Sequence, residues 1–86
     1  MKVPEYALTE HARVVLAARE IPLAWVERVL SNPERAMTDA ADPALRHAIG
    51  RISENGDRFL RVIYNPEITP WRIVTAYFDR ALRGKP

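Results

Sequence analysis

In the first third of the chain, apolar residues recur at the spacing of an amphipathic helix. Ala12, Val15 and Leu16 form one such stripe, and Thr9 stands before it as a favoured helix N-cap. The pattern therefore predicts a first helix over residues 10–19. A second stripe, formed by Val26, Val29 and Leu30, follows a proline that suits a helix start and precedes an Asn-Pro stop signal. It predicts a second helix over residues 22–31.

After this point the apolar residues alternate with polar ones, which is the period of a half-buried strand. The pair Asn55-Gly56 favours a hairpin turn between two of these segments. We predict strands over residues 34–38, 45–53, 58–64 and 71–78, a short edge strand over 6–8, a loop over 39–43 and a basic tail over 79–86.

Two helices followed by three or four antiparallel strands indicate an α+β domain in which the helices cover one face of a curved sheet. With 86 residues the chain has room for one domain, which we place over residues 1–86. The opposite sheet face should then be open to solvent or to a ligand.

Alternation also predicts which strand residues face the helices and which face the open side. The helix-facing set on the last strand is Val74, Ala76 and Phe78. The predicted open-face set is Trp71, Ile73, Thr75 and Tyr77 on the last strand, with Phe59, Arg61 and Ile63 on the strand before it. Arg46 and His47 lie on opposite faces of their strand, and alternation alone does not decide which is open.

The net charge is +2, and the basic excess lies in the second half of the chain, where residues 42–86 hold eight Lys/Arg against five Asp/Glu. Seven of these cations are arginines, whose planar guanidinium suits bidentate contacts to phosphate. This distribution favours an anionic partner such as RNA. A solvated strand face also accommodates arginine, and charge concerns association rather than fold.

Composition excludes several classes of protein. The chain has no cysteine and only two histidines, so we expect no disulfide, no zinc site and no redox cofactor. No run approaches the roughly 18 apolar residues of a membrane span, and the N-terminus lacks the pattern of a secretory signal. We therefore expect a cytoplasmic protein without cofactor or membrane contact.

The candidate chemistry consists of an imidazole, hydroxyls and arginines. His11 lies near the start of the first helix, at the border of core and solvent on a helical wheel, while Thr75 and Tyr77 share the open face of the last strand. A proton carrier and cations that stabilise a phosphorane are the groups that metal-free RNA cleavage requires.

Several segments together resemble a known family of small uncharacterised domains related to the RelE-like and BrnT-like toxin superfamily. They are YALTEHA at 6–12, REIP at 19–22, LSNPE at 30–34, RVIY at 61–64 and IVTAY at 73–77. The resemblance spans about residues 6–78. It implies an α+β fold with a curved antiparallel sheet, RNA cleavage that often takes place on the ribosome, and silencing by a cognate antitoxin, although many members of the uncharacterised branch have no demonstrated activity.

The same resemblance suggests roles for individual residues. His11 would act as general base or acid for the ribose 2′-OH, Arg61 would stabilise the phosphorane, and Thr75 or Tyr77 would orient the phosphate. The residues expected to hold the RNA are Arg19, Arg46, Arg51 and Arg72.

Structural roles are an alternative for each of these residues. His11 would then cap the first helix or bridge it to the sheet, Arg19 would seal a helix end, and Thr75 and Tyr77 would be ordinary strand residues. His47 is interpreted as a surface strand residue.

An apolar strip on the predicted open face leaves a second function class open. The strip comprises Phe59, Ile63, Ile73 and Trp71, and it suits stacked RNA bases, a partner protein such as an antitoxin, or a homodimer. The sequence thus favours a toxin-type endoribonuclease and keeps as its alternative a non-catalytic module that binds protein or nucleic acid through the same face.

Overall fold

Two helices pack against one face of a five-stranded sheet in the computed structural model, which describes residues 3–82. The elements in chain order are β1 (Tyr6–Leu8), α1 (Glu10–Ala18), α2 (Leu23–Ser31), β2 (Arg35–Thr38), β3 (Arg46–Ile52), β4 (Arg58–Asn65) and β5 (Trp71–Phe78). Short 3₁₀ turns cover Ser53–Asn55 and Arg80–Leu82. The predicted α+β class with two N-terminal helices is confirmed.

The strands lie in the order β1-β5-β4-β3-β2, and the sheet is mixed rather than purely antiparallel. β1 pairs with β5 in parallel, while every other neighbouring pair is antiparallel. The sheet has five strands rather than the expected three or four, because both short predicted segments, β1 and β2, join it as edges. Both helices and the strands β2, β3 and β4 lie between β1 and β5 in the chain. This long connection allows β5 to pair with β1 in parallel.

Helix α1 begins and ends with well-formed caps. The Thr9 hydroxyl accepts a hydrogen bond from the Ala12 N–H at 3.0 Å, as expected of the predicted N-cap. The helix ends at Ala18, and Glu20 adopts a left-handed conformation with φ of 55°. The Ile21 N–H then donates to the Leu16 carbonyl at 2.9 Å, which completes a Schellman motif whose two apolar side chains are buried.

Helix α2 starts one residue later than predicted, because Pro22 is extended and serves as the N-cap rather than as the first helical residue. Its predicted apolar residues Val26, Val29 and Leu30 are all buried. The helix approaches β3 closely at Gly50, where a Cβ atom would lie 3.2 Å from the Val29 side chain. The core between the layers contains Ala12, Leu16 and Ile21 below α1, the three α2 residues, and Ala48, Ile52, Leu60, Val62, Ile73 and Ala76 from the sheet.

A β-bulge in β5 corrects part of the predicted alternation. Ile63 of β4 is opposite Thr75 and the next residue, Tyr64, is opposite Ile73, so Val74 is an extra residue without its own partner. Ile73 therefore lies in the helix-facing core, fully buried, and Val74 lies outside that core. The predicted faces of these two residues were wrong because alternation assumes an uninterrupted strand.

The bulge separates the two halves of the predicted apolar strip. Trp71 stacks on Tyr64, with ring centroids 5.0 Å apart, and Tyr64 packs against the helix-facing core. Together with Ile73, Trp71 therefore leaves the open face. Beyond the bulge the predicted sides are confirmed, with Ala76 and Phe78 toward the helices.

The structure also decides between the two residues that alternation left open on β3. Ala48 belongs to the helix-facing core, so its neighbour His47 projects to the opposite face. Arg46 shares the parity of Ala48 and donates from Nη1 to the Thr38 hydroxyl at 2.7 Å.

Candidate functional site

The candidate site is the sheet face opposite the helices, which we call the open face. Strand parity and register place on it Arg35 and Met37 of β2, His47, Ile49 and Arg51 of β3, Phe59, Arg61 and Ile63 of β4, and Arg72, Thr75 and Tyr77 of β5. Its middle is partly covered, because Ile49 and Phe59 are buried although neither belongs to the helix-facing core. Four strands thus each contribute one arginine to this face.

Four polar side chains form a continuous network at the centre of the open face. Arg61 Nη1 lies 2.8 Å from His47 Nδ1, and His47 Nε2 lies 2.6 Å from Asp39 Oδ1. On its other side, Arg61 donates from Nε to Asp79 Oδ2 at 2.9 Å, and Nη2 lies 2.7 Å from the same oxygen. The order is therefore carboxylate, imidazole, guanidinium, carboxylate, and it ties β3 and β4 to the segments that follow β2 and β5.

The partners of His47 define its tautomer. A guanidinium has only donors, so Nδ1 must accept the hydrogen bond from Arg61. The ring proton of the neutral imidazole then belongs on Nε2, which donates to Asp39. Both ring nitrogens are consequently engaged in this arrangement.

Asp39 is fixed by donors on both carboxylate oxygens. The hydrogen bond from His47 is the main factor that lowers the pKa of Asp39, and the backbone N–H groups of Asp42 and Ala41 lower it further. These two N–H groups donate to Oδ2 at 2.9 and 3.0 Å. Asp39 is thus an ionised anchor that holds His47 in place.

Three of the four predicted catalytic residues meet on the open face. Arg61 and Tyr77 are direct cross-strand partners, and Thr75 is opposite Ile63, the next open-face position on β4. His47 lies on the other side of Arg61. A guanidinium, an imidazole, a phenol and a hydroxyl therefore occupy adjacent positions on three neighbouring strands.

The fourth predicted catalytic residue, His11, is not connected to this group. It is exposed on α1, the helix that packs on the opposite side of the sheet through Ala12 and Leu16. Within residues 3–82 its ring makes no hydrogen bond or ion pair. The predicted bridge from His11 to the sheet is likewise not formed.

The arginines predicted to bind RNA have different environments. Arg19 donates from Nη1 to the Ala76 carbonyl at 2.8 Å and so ties the end of α1 to β5. Arg51 lies over the Phe59 ring, with its guanidinium carbon 5.1 Å from the ring centroid. Its Nη2 atom also lies 4.0 Å from a carboxylate oxygen of Glu34. Arg72 is exposed, and no other side chain in the described part of the chain pairs with it.

The network includes three residues that sequence reasoning did not select: His47, Asp39 and Asp79. Asp39 lies in the predicted loop and Asp79 in the predicted tail, where polar residues are unremarkable. In the sequence, Arg61 indicates that such a partner exists. An arginine in the middle of an otherwise apolar strand needs an acidic partner when it is mostly buried. That signal indicates the need for a partner but not which carboxylate supplies it.

A separate cleft of about 600 Å³ lies between α2 and the segment leading into β1. The Tyr6 hydroxyl donates a hydrogen bond to Glu27 Oε2 at the cleft wall. Burial, together with this hydrogen bond to a carboxylate, raises the pKa of Tyr6 to about 12. None of the network residues lines this cleft.

Two further findings concern residues 3–82. No group of three or more His, Asp or Glu side chains is placed there to hold a metal ion. Neither helix has the length and apolar character that crossing a bilayer requires.

Comparison with known families identifies the class of this protein. Residues 8–78 match a family described as a domain of unknown function (DUF4258), and the chain belongs to that family. No curated protein and no solved structure shows a significant match to the chain. The membership in a small uncharacterised family agrees with the expectation from sequence.

Proposed function

We propose that this protein is a metal-independent endoribonuclease of the toxin type, which binds RNA on the open face. The observation that carries the proposal is the placement of His47 and Tyr77 on either side of Arg61. The sequence resemblance to RelE-like and BrnT-like toxins supports the same reaction class.

The groups on the open face suit attack of a ribose 2′-oxygen on the neighbouring phosphorus. One group takes the proton from the 2′-OH, a cation stabilises the phosphorane, and another group returns a proton to the 5′-oxygen that leaves. The products are a 2′,3′-cyclic phosphate and a free 5′-OH. In this proposal Arg61 supplies the cation, and Tyr77, its cross-strand partner, donates a proton or a hydrogen bond.

His47 is the preferred proton acceptor in this proposal. Its Nδ1 lone pair now accepts a hydrogen bond from Arg61. When the guanidinium turns its N–H groups to a phosphate, that lone pair becomes available for the 2′-OH. His11 is the second candidate acid or base. It could act only on RNA that extends from the open face to α1.

Two arginines are suited to hold the RNA backbone beside the reacting phosphate. Arg72 is exposed on β5, two positions before the bulge, and Arg51 lies at the opposite side of the face on β3. Arg46 is less suited because its parity places it on the helix side, and Arg19 is engaged with a β5 carbonyl. The ribosome and a cognate antitoxin are further partners in the toxin proposal.

Two observations favour the alternative, a non-catalytic module that binds its partner through the open face. Both ring nitrogens of His47 and most of the Arg61 guanidinium already have hydrogen-bond partners. Met37 is 41% exposed on the same face and would suit an apolar contact with a protein or with a second copy of the chain. In this case the network would only stiffen the binding surface.

The test is cleavage of a mixed RNA in EDTA by the wild type and by His47→Ala, His11→Ala and Tyr77→Phe, each shown to be folded by circular dichroism. We expect His47→Ala to lower the rate by about 10²–10⁴-fold, the usual contribution of a general acid or base. The products should carry 5′-OH ends. Cleavage that depends on His11 and not on His47 would show that the catalytic site lies at α1 rather than on the open face.

Absence of cleavage by the wild type, with and without ribosomes, would leave the binding alternative. The RNA affinity of two charge variants then shows whether the open face binds RNA. Arg72→Gln should weaken RNA binding, whereas Arg13→Gln, which removes the same charge from an exposed helix position, should not. Equal effects of the two variants would contradict RNA binding by the open face.

A further inference from the structure

Arg61, the residue that the proposed function assigns to phosphate, already holds an anion. Its Nε and Nη2 atoms both contact Asp79 Oδ2, at 2.9 and 2.7 Å. This edge of a guanidinium can bind two oxygens of a phosphate or carboxylate side by side. The two side chains are each only 14% exposed, so the pair is held out of most solvent.

Asp79 thus occupies the side-by-side edge of Arg61, and His47 takes one of the remaining N–H groups. Nη1 contacts His47 Nδ1, and only one N–H on each of Nη1 and Nη2 has no partner in this network. A phosphate can therefore reach the side-by-side edge only if the Asp79 carboxylate leaves it.

Asp79 is attached to the sheet by few other bonds. Its N–H donates to the Phe59 carbonyl at 2.9 Å, directly after the end of β5. The remaining hydrogen bonds are internal to the turn: Ala81 N–H donates to Asp79 Oδ1 at 2.9 Å, and Leu82 N–H donates to the Asp79 carbonyl at 3.2 Å. Movement of the segment Asp79–Leu82 away from β4 would break the Phe59 bond and the Arg61 pair, and it would keep the bonds internal to the turn.

We propose that Asp79 is an internal substitute for phosphate, so that the Asp79–Leu82 turn closes an anion site on Arg61 and a phosphate group opens it by replacing the carboxylate. The anion site stands on the geometry of Arg61, and its use for RNA rests on the proposed function. The turn then limits the affinity of the open face for RNA until a phosphate displaces it. Release of Arg61 from Asp79 also frees the guanidinium to turn from His47.

The test compares the wild type with Asp79→Asn and with Glu54→Gln. Glu54 pairs with Arg28 on another part of the surface, so this control removes one negative charge and one arginine partner without touching the open face. Binding of inorganic phosphate is measured by titration calorimetry in every variant, and the Arg61 Nε–H signal in NMR locates it in the variants that keep Arg61. We expect Asp79→Asn to bind phosphate at least about tenfold more tightly than both other proteins.

Equal phosphate affinity in Asp79→Asn and Glu54→Gln would overturn the inference. The double variant Asp79→Asn/Arg61→Gln, which leaves neither charge unpaired, should lose the tight binding. If Asp79→Asn does not fold, the wild type at saturating phosphate is decisive: the backbone amides of Ala81 and Leu82 should shift together with Arg61. Phosphate binding at Arg61 without a shift of the turn would also contradict the proposal.

The same variants separate this inference from the proposed function. Tight phosphate binding by Asp79→Asn, with no RNA bound or cleaved by any variant, would reject the RNA function and keep the role of Asp79. RNA cleavage by the wild type, with phosphate affinity unaffected by Asp79→Asn, would keep the function and reject the role of Asp79.

Discussion

The Thr9 hydroxyl donates a hydrogen bond to the carbonyl oxygen of Val74, 65 residues further along the chain, at 3.2 Å. Val74 is the extra residue of the β5 bulge, and its carbonyl faces the sheet edge just beyond the end of β1. The same hydroxyl caps α1 by accepting from Ala12. One side chain thus caps the start of a helix and also bonds a carbonyl of the bulge.

We predict that Thr9→Val lowers the free energy of unfolding by about 1–2 kcal/mol, because the shape is kept while the cap and the Val74 bond are both lost. Thr9→Ser keeps the hydroxyl and should cost less than about 0.5 kcal/mol. Urea unfolding of the three proteins measures the difference. A larger loss for Thr9→Ser than for Thr9→Val would show that packing of the methyl group, not the hydroxyl, stabilises this junction.

The helices and the α+β class were predictable because their signals are local. Thr9, the apolar stripes and Asn32-Pro33 each act within a few residues. The bulge at Val74 was not predictable in the same way, since it becomes visible only when β5 is aligned with β4. The parallel pairing of β1 likewise depends on contacts made across almost the whole chain.

The candidate site was predictable only in part, for the same physical reason. Alternation correctly placed Arg61, Thr75 and Tyr77 on one face, since each lies on an uninterrupted stretch of strand. Their polar partners come from a loop and from the segment after the last strand, where no period restricts position. Asp39 and Asp79 are found by geometry alone.

Glu20 ends α1 in a left-handed conformation that side chains with a Cβ rarely adopt. Glu20→Gly should raise the free energy of unfolding by about 0.5–1 kcal/mol, because the gain from relieved strain exceeds the extra entropy of glycine in the unfolded chain. Glu20→Ala keeps the Cβ atom and should not stabilise the protein. If thermal unfolding shows that Glu20→Ala stabilises the protein as much as Glu20→Gly does, the stabilisation comes from loss of the carboxylate.

Gly50 lets α2 approach the sheet, and an added methyl group would meet Val29 Cγ2 at 3.2 Å. Val29 is buried and branched at Cβ, so it has little freedom to move aside. We expect Gly50→Ala to cost about 1–3 kcal/mol by overpacking. In a Val29→Ala background the same change should cost little or nothing. If Gly50→Ala costs as much stability in that background as in the wild type, the loss comes from the backbone at Gly50 and not from contact with Val29.

The pair between Arg28 and Glu54 makes stability depend on acid pH. The Arg28 hydrogen bonds lower the pKa of Glu54 from 4.5 to about 2. A depressed carboxyl pKa stabilises the folded state above the unfolded pKa, and that contribution disappears as the pH falls through the folded pKa. The difference in unfolding free energy between wild type and Glu54→Gln should therefore shrink between pH 4.5 and about 2. A constant difference across this range would indicate that the pair does not form in solution.

The hydrogen bonds of His47 predict a single neutral tautomer with its proton on Nε2. Arg61 can only donate to Nδ1, and the ionised Asp39 can only accept from Nε2, so the two partners enforce the same state. Long-range ¹H–¹⁵N NMR should show this tautomer in the wild type and also in Arg61→Gln, where Asp39 still selects it. Removal of both partners, in Arg61→Gln/Asp39→Ala, should give a mixture. A proton on Nδ1 in the neutral wild type would contradict the network and would remove the lone pair that the proposed cleavage requires.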